Sequence, residues 1–269
     1  LFLRKKKPTT LLWVFYFPIK TKLVCVFFRS VGTLAFTVPL ILKYKIPILG
    51  NNKKLLFIRG LIGVISLTTF FEALNYLAVG TAVSLRYTSP IFAAIFAAVF
   101  LKEKIKLVQW VLFLLAFVGV LIIKGFGVDV NTIGLLLIIT SALFLGLIFV
   151  VIRKLGDQEN PLIIINYFMI MCFIFGGLMS YNNWISPNYT EWVLLLSLGV
   201  FGYVGQLYMT KAFQLHETSI IAPLKYLEVI FMILIGVTWF GEIYNLWTLL
   251  GIFLILIGLI YNLYLNKKK

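Results

Sequence analysis

The chain has 269 residues, of which 62% are hydrophobic and 12% charged, with a mean hydropathy of +1.04 and a formal net charge of +15. A soluble domain carries about 25% charged residues in its polar shell, so a chain with half that share has lipid for a surface. The 24 Lys and Arg against nine Asp and Glu do not mark a nucleic-acid binder, because they cluster in short gaps between apolar runs, as topology signals and contacts to anionic head groups do.

The first segment, Thr9 to Ile19, is set off by Pro8 and Pro18. As a helix it would reach about 16 Å, half of a ~30 Å hydrocarbon core. It reads either as a truncated first membrane helix or as a segment lying at the interface. Helices are then predicted at 23–42, 55–79, 82–101, 107–123, 132–152, 161–181, 190–213, 219–240 and 245–265. Breakers or charges fill the junctions, as at Gly50-Asn51-Asn52-Lys53-Lys54, Gly125-Phe126-Gly127 and Ser186-Pro187-Asn188. The expected architecture is an all-α membrane protein of about ten transmembrane helices, with no room for a separate soluble domain.

Orientation follows from the Lys and Arg count. One set of loops holds Lys43, Lys45, Lys53, Lys54, Arg59, Lys102, Lys104, Lys106, Arg153, Lys154, Lys211 and Lys267 to Lys269, while the alternate set holds Lys20, Lys22 and Lys124. The positive-inside rule assigns the rich set, and with it the carboxyl terminus, to the cytoplasm of a cell inner (plasma) membrane. Trp184, Tyr189 and Trp192 then belong to an outer aromatic belt. Cys25 and Cys172 fall inside apolar runs and read as small buried hydrophobes, and the single His216 has no ligand cluster around it, so no metal site is expected.

Shifting the chain by 139 residues aligns the third to fifth helices with the eighth to tenth without a gap. Identical pairs include Gly60/Gly199, Gly63/Gly202, Tyr87/Tyr226, Glu103/Glu242 and Gly119/Gly258, and Arg86 matches Lys225. Apolar runs align by chance, whereas matched Gly, Tyr, Glu and a basic residue inside a helix rarely do. Five helices per repeat is an odd number, so the halves enter the membrane in opposite senses, as in many secondary transporters. The domain division is 1–124 for the first repeat, with a weak segment at 1–22, and 125–269 for the second.

These residues carry a resemblance to the drug/metabolite transporter superfamily, EamA type, over nearly the full length. The matching stretches are Val26-Phe27-Phe28-Arg29-Ser30, Ala82 to Pro90 and Glu103, repeated in the second half as Ala222-Pro223-Leu224-Lys225-Tyr226-Leu227-Glu228 and Glu242. The second-half stretch is similar to S-adenosylmethionine carriers. The resemblance implies two five-helix repeats around a central cavity; the short first segment departs from that plan.

Charges inside the spans are the informative ones, since each costs about 3 kcal/mol at the bilayer centre on insertion scales. They are Arg29, Glu72, Arg86, Lys225 and Glu228. Glu72 and Arg86 on consecutive helices are expected either to pair and fix helix register or to face a cavity. Lys225 and Glu228 are three apart and share a face, behind the helix-distorting Pro223. Arg29 lacks a sequence-local partner and is a candidate for carboxylate binding, against snorkelling or structural pairing. The candidate substrate-binding set is Arg29, Arg86, Tyr87, Lys225, Tyr226 and Glu228, with Glu72 and Glu228 as candidate proton carriers. Asn75 and Gln214 are polar groups for either the cavity or interhelical packing. Glu103 and Glu242 read as helix caps or loop anchors.

No Gly-rich phosphate loop and no catalytic constellation occur, so neither a built-in ATPase nor an enzyme is expected, and no cofactor. The functional expectation is a secondary transporter for a small anionic or zwitterionic metabolite, such as an amino acid or nucleoside derivative. The alternative is a flippase for a lipid or lipid-linked sugar. The expected partners are the small-molecule substrate and the lipid bilayer, and a homodimer is compatible with the sequence.

Overall fold

A computed structural model describes residues 22–77, 79–124, 131–181, 189–240 and 246–267. The predicted first segment, Trp184, Glu242 and the junctions at 125–127 and 186–188 lie outside the described residues. The helices, in chain order, are α1 (Lys22–Lys43), α2 (Lys53–Ala73), α3 (Val79–Arg86), α4 (Ser89–Phe96), α5 (Leu107–Lys124), α6 (Thr132–Leu155), α7 (Pro161–Tyr181), α8 (Tyr189–Leu215), α9 (Thr218–Ile221), α10 (Leu227–Phe240) and α11 (Leu246–Lys267). Among the described residues there is no strand. Five helical stretches are long and apolar enough to cross a bilayer, namely Val24–Lys43, Lys53–Ala73, Ala82–Leu101, Thr132–Gln158 and Pro161–Tyr181, with shorter apolar ones at Leu107–Ile122 and Leu249–Leu265. The protein is a multi-pass, all-helical membrane protein.

Local chemistry sets the helix ends. Asn52 caps α2 by accepting from the Leu55 N–H at 3.1 Å, and Asn131 caps α6 by accepting from Ile133 and Gly134 at 2.9 and 3.2 Å. Pro161 opens α7, where its missing N–H leaves no bond unmade. The second predicted helix ends at Ala73, short of residue 79, because the chain turns at Asn75 and Tyr76.

Two predicted spans are not continuous. The span 82–101 breaks after Arg86, where the Tyr87 N–H is shared between the Val83 and Ser84 carbonyls at 3.3 and 3.1 Å, and it closes with a π turn at Ala97–Leu101. The span 219–240 narrows to a 3-10 turn at Ala222–Tyr226 around Pro223. Interrupted backbone at membrane depth is tolerated where protein or a cavity covers it. Tyr87 and Tyr226, each at its own break, are both buried, with ring centroids 6.1 Å apart.

Helix α1 packs on α7 and α8, α2 on α6 and α7, and α5 on α11. The closest contacts recur at the repeat offset. A Cβ on Gly119 would lie 2.7 Å from the Gly251 carbonyl oxygen and 3.0 Å from Ile255; one on Gly258 would lie 2.9 Å from the Leu112 carbonyl oxygen and 3.2 Å from Ala116. Each position in the first contact maps onto the second by the shift that carries Gly119 to Gly258. The Gly60–Met171 and Gly199–Gly32 contacts are related in the same way. Small residues at these crossings let backbones approach, which is how helices associate where lipid removes the hydrophobic drive.

Candidate functional site

Arg29, seven residues into α1, is half-buried, and its Nε lies 3.2 Å from where a Cβ on Gly202 of α8 would stand. Arg86 ends α3 with its guanidinium 4.3 Å over the Phe70 ring, and its Nη2 donates to Ser66 Oγ at 3.5 Å. Ser66 is itself fixed: its hydroxyl donates to the Ser141 carbonyl at 2.9 Å, and Ser141 returns the bond at 2.7 Å. That exchange joins α2 to α6 beneath the arginine. Arg86 Nε is buried with no partner among the described residues.

The charges of Arg29 and Glu228 both act on Arg86, and Glu228 also acts on Tyr87. Lys225 and Glu228 form an ion pair across one turn, with side chains 37% and 49% exposed. At the two helix breaks Tyr87 of the first half meets Tyr226 of the second; Arg86 adjoins the first tyrosine in sequence, and Lys225 and Glu228 flank the second. Glu72 stands apart. It is exposed in the last turn of α2, and the expected pairing with Arg86 does not form. Gln214 is not in this cluster either; its amide donates to the Gly156 and Glu159 carbonyls at 2.5 and 2.7 Å, so it is interhelical glue.

Sequence reasoning missed Arg59. Grouped with Lys53 and Lys54 as a loop charge, it instead lies within α2 and is 1% exposed. Its guanidinium sits 4.6 Å over the Phe168 ring of α7. The signal was its place in Leu55-Leu56-Phe57-Ile58-Arg59-Gly60, more than a turn past the last loop lysine.

At the end of the bundle that carries Lys43, Lys53 and Arg153, a polar cavity of ≈ 670 Å³ is lined by Lys102, Glu103, Lys104, Arg153, Asp157 and Glu217, among others. A hydrogen-bond chain closes the helices around it. The Glu103 carboxylate accepts from the Thr218 and Ser219 N–H groups at 2.9 and 3.0 Å, tying the end of the α4 span to the start of α9. Arg153 donates to the Gln214 carbonyl at 2.6 Å. The buried Glu159 carboxylate accepts from the Asn51 N–H at 2.6 Å and from the Asn52 N–H. Gly50 beside it has φ +62°, and a Cβ there would lie 2.7 Å from that carboxylate, so both backbone and space require glycine. Removing a capping oxygen costs about 1–2 kcal/mol, roughly tenfold in an opening equilibrium. Glu103→Ala is expected to speed hydrogen–deuterium exchange of the Thr218 and Ser219 amides by about that factor; unchanged exchange would show that Glu103 holds nothing.

The EamA-like transporter family matches residues 9–125 and again 132–264. The chain belongs to the EamA-like transporter family. Among curated relatives, the pseudopaline exporter CntI of Pseudomonas aeruginosa is 29% identical over 238 residues, covering 87% of this chain and 84% of that protein. An S-adenosylmethionine uptake transporter of Rickettsia bellii is 26% identical, covering 90% and 84%. The riboflavin transporter of Vibrio cholerae is 28% identical over 186 residues, covering 68% and 62%. A solved crystal structure with 16% identity covers 96% of this chain and 95% of its own at a TM-score of 0.80, which shows a shared fold. Membership in the EamA family makes this protein a membrane transporter, and the relatives that share its length carry names of small-molecule carriers.

Proposed function

We propose that this EamA protein is a secondary transporter that moves a small anionic or zwitterionic metabolite by alternating access between two inverted five-helix repeats, residues 1–124 and 125–269. One observation supports the reading: the interruptions of α3–α4 and α9–α10, one from each half, meet through Tyr87 and Tyr226, and each carries charged residues, Arg86 on one side and Lys225 and Glu228 on the other. Interrupted helices meeting near the midplane are where secondary transporters hold their cargo. Arg29, Arg86, Tyr87, Lys225, Tyr226 and Glu228 are the binding residues in this reading. Glu228, paired with Lys225 beside the second interruption, and Glu72 are the proton-carrier candidates. The site lies in a cell inner (plasma) membrane with the carboxyl terminus cytoplasmic, by the positive-inside count.

The test is transport by purified protein in liposomes, screened with amino acids, nucleoside derivatives and organic anions, S-adenosylmethionine first because several relatives bear that name. Saturable flux of a water-soluble anion or zwitterion is expected, lowered at least tenfold by Lys225→Ala. Scrambling of a fluorescent lipid with no solute flux would favour a flippase and overturn this reading. If Glu228 carries the coupling proton, Glu228→Gln abolishes acceleration by an imposed pH gradient but leaves counterflow exchange intact. Loss of both assigns Glu228 to binding alone.

A further inference from the structure

Arg59 is the charged group for which neither the fold nor the proposed site has a use. Its neighbourhood is unusual in three respects. It is 1% exposed, and its Nε and Nη1 are buried with no hydrogen-bond partner among the described residues. Its side chain does not turn back to the nearby end of α2, where Lys53 and Lys54 meet water; its Nη1 lies 2.6 Å from where a Cβ on Gly63 would stand, one turn deeper into the bilayer. An arginine this close to a helix end ordinarily snorkels outward, so this one is aimed the other way. Finally, the Arg29 charge bears on both Arg59 and Arg86, and Arg29 and Arg59 both bear on Cys172. Arg29 thus links the other two guanidiniums electrostatically.

Among the described residues, no carboxylate balances these three guanidiniums. Glu103 and Glu159 are engaged by backbone N–H groups in the hydrogen-bond chain around the cavity, Asp157 and Glu217 line that cavity, Glu72 is exposed at a helix end, and Glu228 is engaged by Lys225. Among the described residues no carboxylate lies within ion-pair distance of Arg29, Arg59 or Arg86. Burying an unpaired ion costs several kcal/mol even after relaxation, and a desolvated cation–π contact, worth about 2 kcal/mol or more, offsets part of that cost and leaves the guanidinium's hydrogen-bonding groups unmet. The Phe168 ring therefore does not neutralise Arg59.

Resting on the transporter reading above, we infer that Arg59 is a third cargo-binding arginine, and that the cargo carries at least two negative charges. A zwitterion would add no net charge to a cluster of four cations and one anion. A monoanion would offset only one of the uncompensated charges. A dianion or trianion, as a polycarboxylate or a phosphorylated metabolite, supplies oxygens for Arg29, Arg59 and Arg86 together. Guanidinium forks suit both groups, since each binds a carboxylate or phosphate through two parallel hydrogen bonds.

The experiment titrates the purified full chain with acetate, succinate, citrate, inorganic phosphate and chloride, reading binding by calorimetry, for the parent, Arg29→Ala, Arg59→Gln and Arg59→Lys. The parent is expected to bind succinate and citrate at least tenfold more tightly than acetate. Arg59→Gln should erase most of that preference while leaving acetate within about threefold, and Arg59→Lys should restore part of it. Phosphate binding as tight as citrate would assign phosphorylated cargo; weaker binding would assign polycarboxylates. Equal affinity for acetate and succinate in the parent overturns the inference, as does chloride competing as well as succinate. If Arg59→Gln fails to fold, the acetate-to-succinate ratio of the parent and of Arg59→Lys decides. Lost binding in Arg29→Ala with none lost in Arg59→Gln sinks this inference alone. If neither variant loses binding, the transporter-site reading falls with it.

Discussion

Arg29→Ala is expected to weaken the apparent affinity for an anionic cargo roughly 10- to 100-fold in counterflow, with helix content and melting temperature close to the parent's. The factor follows from losing a charge-assisted hydrogen bond in a low-dielectric site, about 1.5–3 kcal/mol. The fold should survive because Arg29 forms no hydrogen bond or ion pair among the described residues and rests on the glycine face of α8. Truncation removes a half-buried charge without orphaning a partner among the described residues. Arg29→Lys is expected to recover only part of the loss, since a lysine restores the charge but not the planar fork. Unchanged flux in a folded Arg29→Ala protein would mean that this arginine merely tunes packing.

The difference between what the sequence revealed at Arg29 and at Arg59 is instructive. Arg29 stands deep in an apolar run, so membrane depth could be counted from either end. Arg59 lies close behind Lys53 and Lys54, and a one-dimensional count sees a basic cluster at a helix start. Only the direction of the side chain, along α2 past Gly63 and onto Phe168, distinguishes a buried arginine from a snorkelling one. Spans were legible because hydropathy and length suffice for a membrane helix; 161–181 falls on α7 end to end. Interruptions were not. Leu85 to Ser89 has no proline before Pro90 to announce a break, and the second interruption was marked only by Pro223. The Glu72–Arg86 pairing failed for a related reason. Helical separation in sequence gives depth but not azimuth, and Arg86 turns toward Phe70 and Ser66, away from the exposed face of α2 that carries Glu72.

The repeat offset also exposes where the halves stop being alike. The shift that carries Gly63 to Gly202 carries Arg29 to Phe168 and Arg59 to Leu198. The Gly63–Phe168 contact is thus the counterpart of Gly202–Arg29, one an aromatic ring and the other a guanidinium against the same glycine shelf. Common backbone packing at both places leaves the side chains free to differ. A symmetric scaffold with an asymmetric charge distribution fits the proposed alternating-access reading, in which two access states would need similar packing energies and the cargo one cluster of charge.

The largest structural effect is expected at Gly199. A Cβ there would lie 2.5 Å from Gly32 Cα and 2.9 Å from Gly32 C, and the reverse substitution meets Gly199 Cα at 2.6 Å. Both obstacles are backbone, so no rotamer change relieves them; α1 and α8 must separate, and the Thr33 hydroxyl would lose the Gly199 carbonyl it reaches at 3.4 Å. Overpacking costs about 1–3 kcal/mol, and a branched residue forces the wider separation. Gly199→Val is expected to lower the melting temperature in detergent by several degrees and to reduce the folded yield severalfold, with Gly199→Ala intermediate. Gly205, further along the same helix, has nothing within 4 Å of where a Cβ would stand, and alanine there gains about 1 kcal/mol of helix propensity. Gly205→Ala should therefore melt at or above the parent temperature. Equal melting of the Gly199 and Gly205 variants would mean that the crossing of α1 and α8 does not depend on backbone contact, and the recurrence of that contact at Gly60 and Met171 would lose its structural meaning.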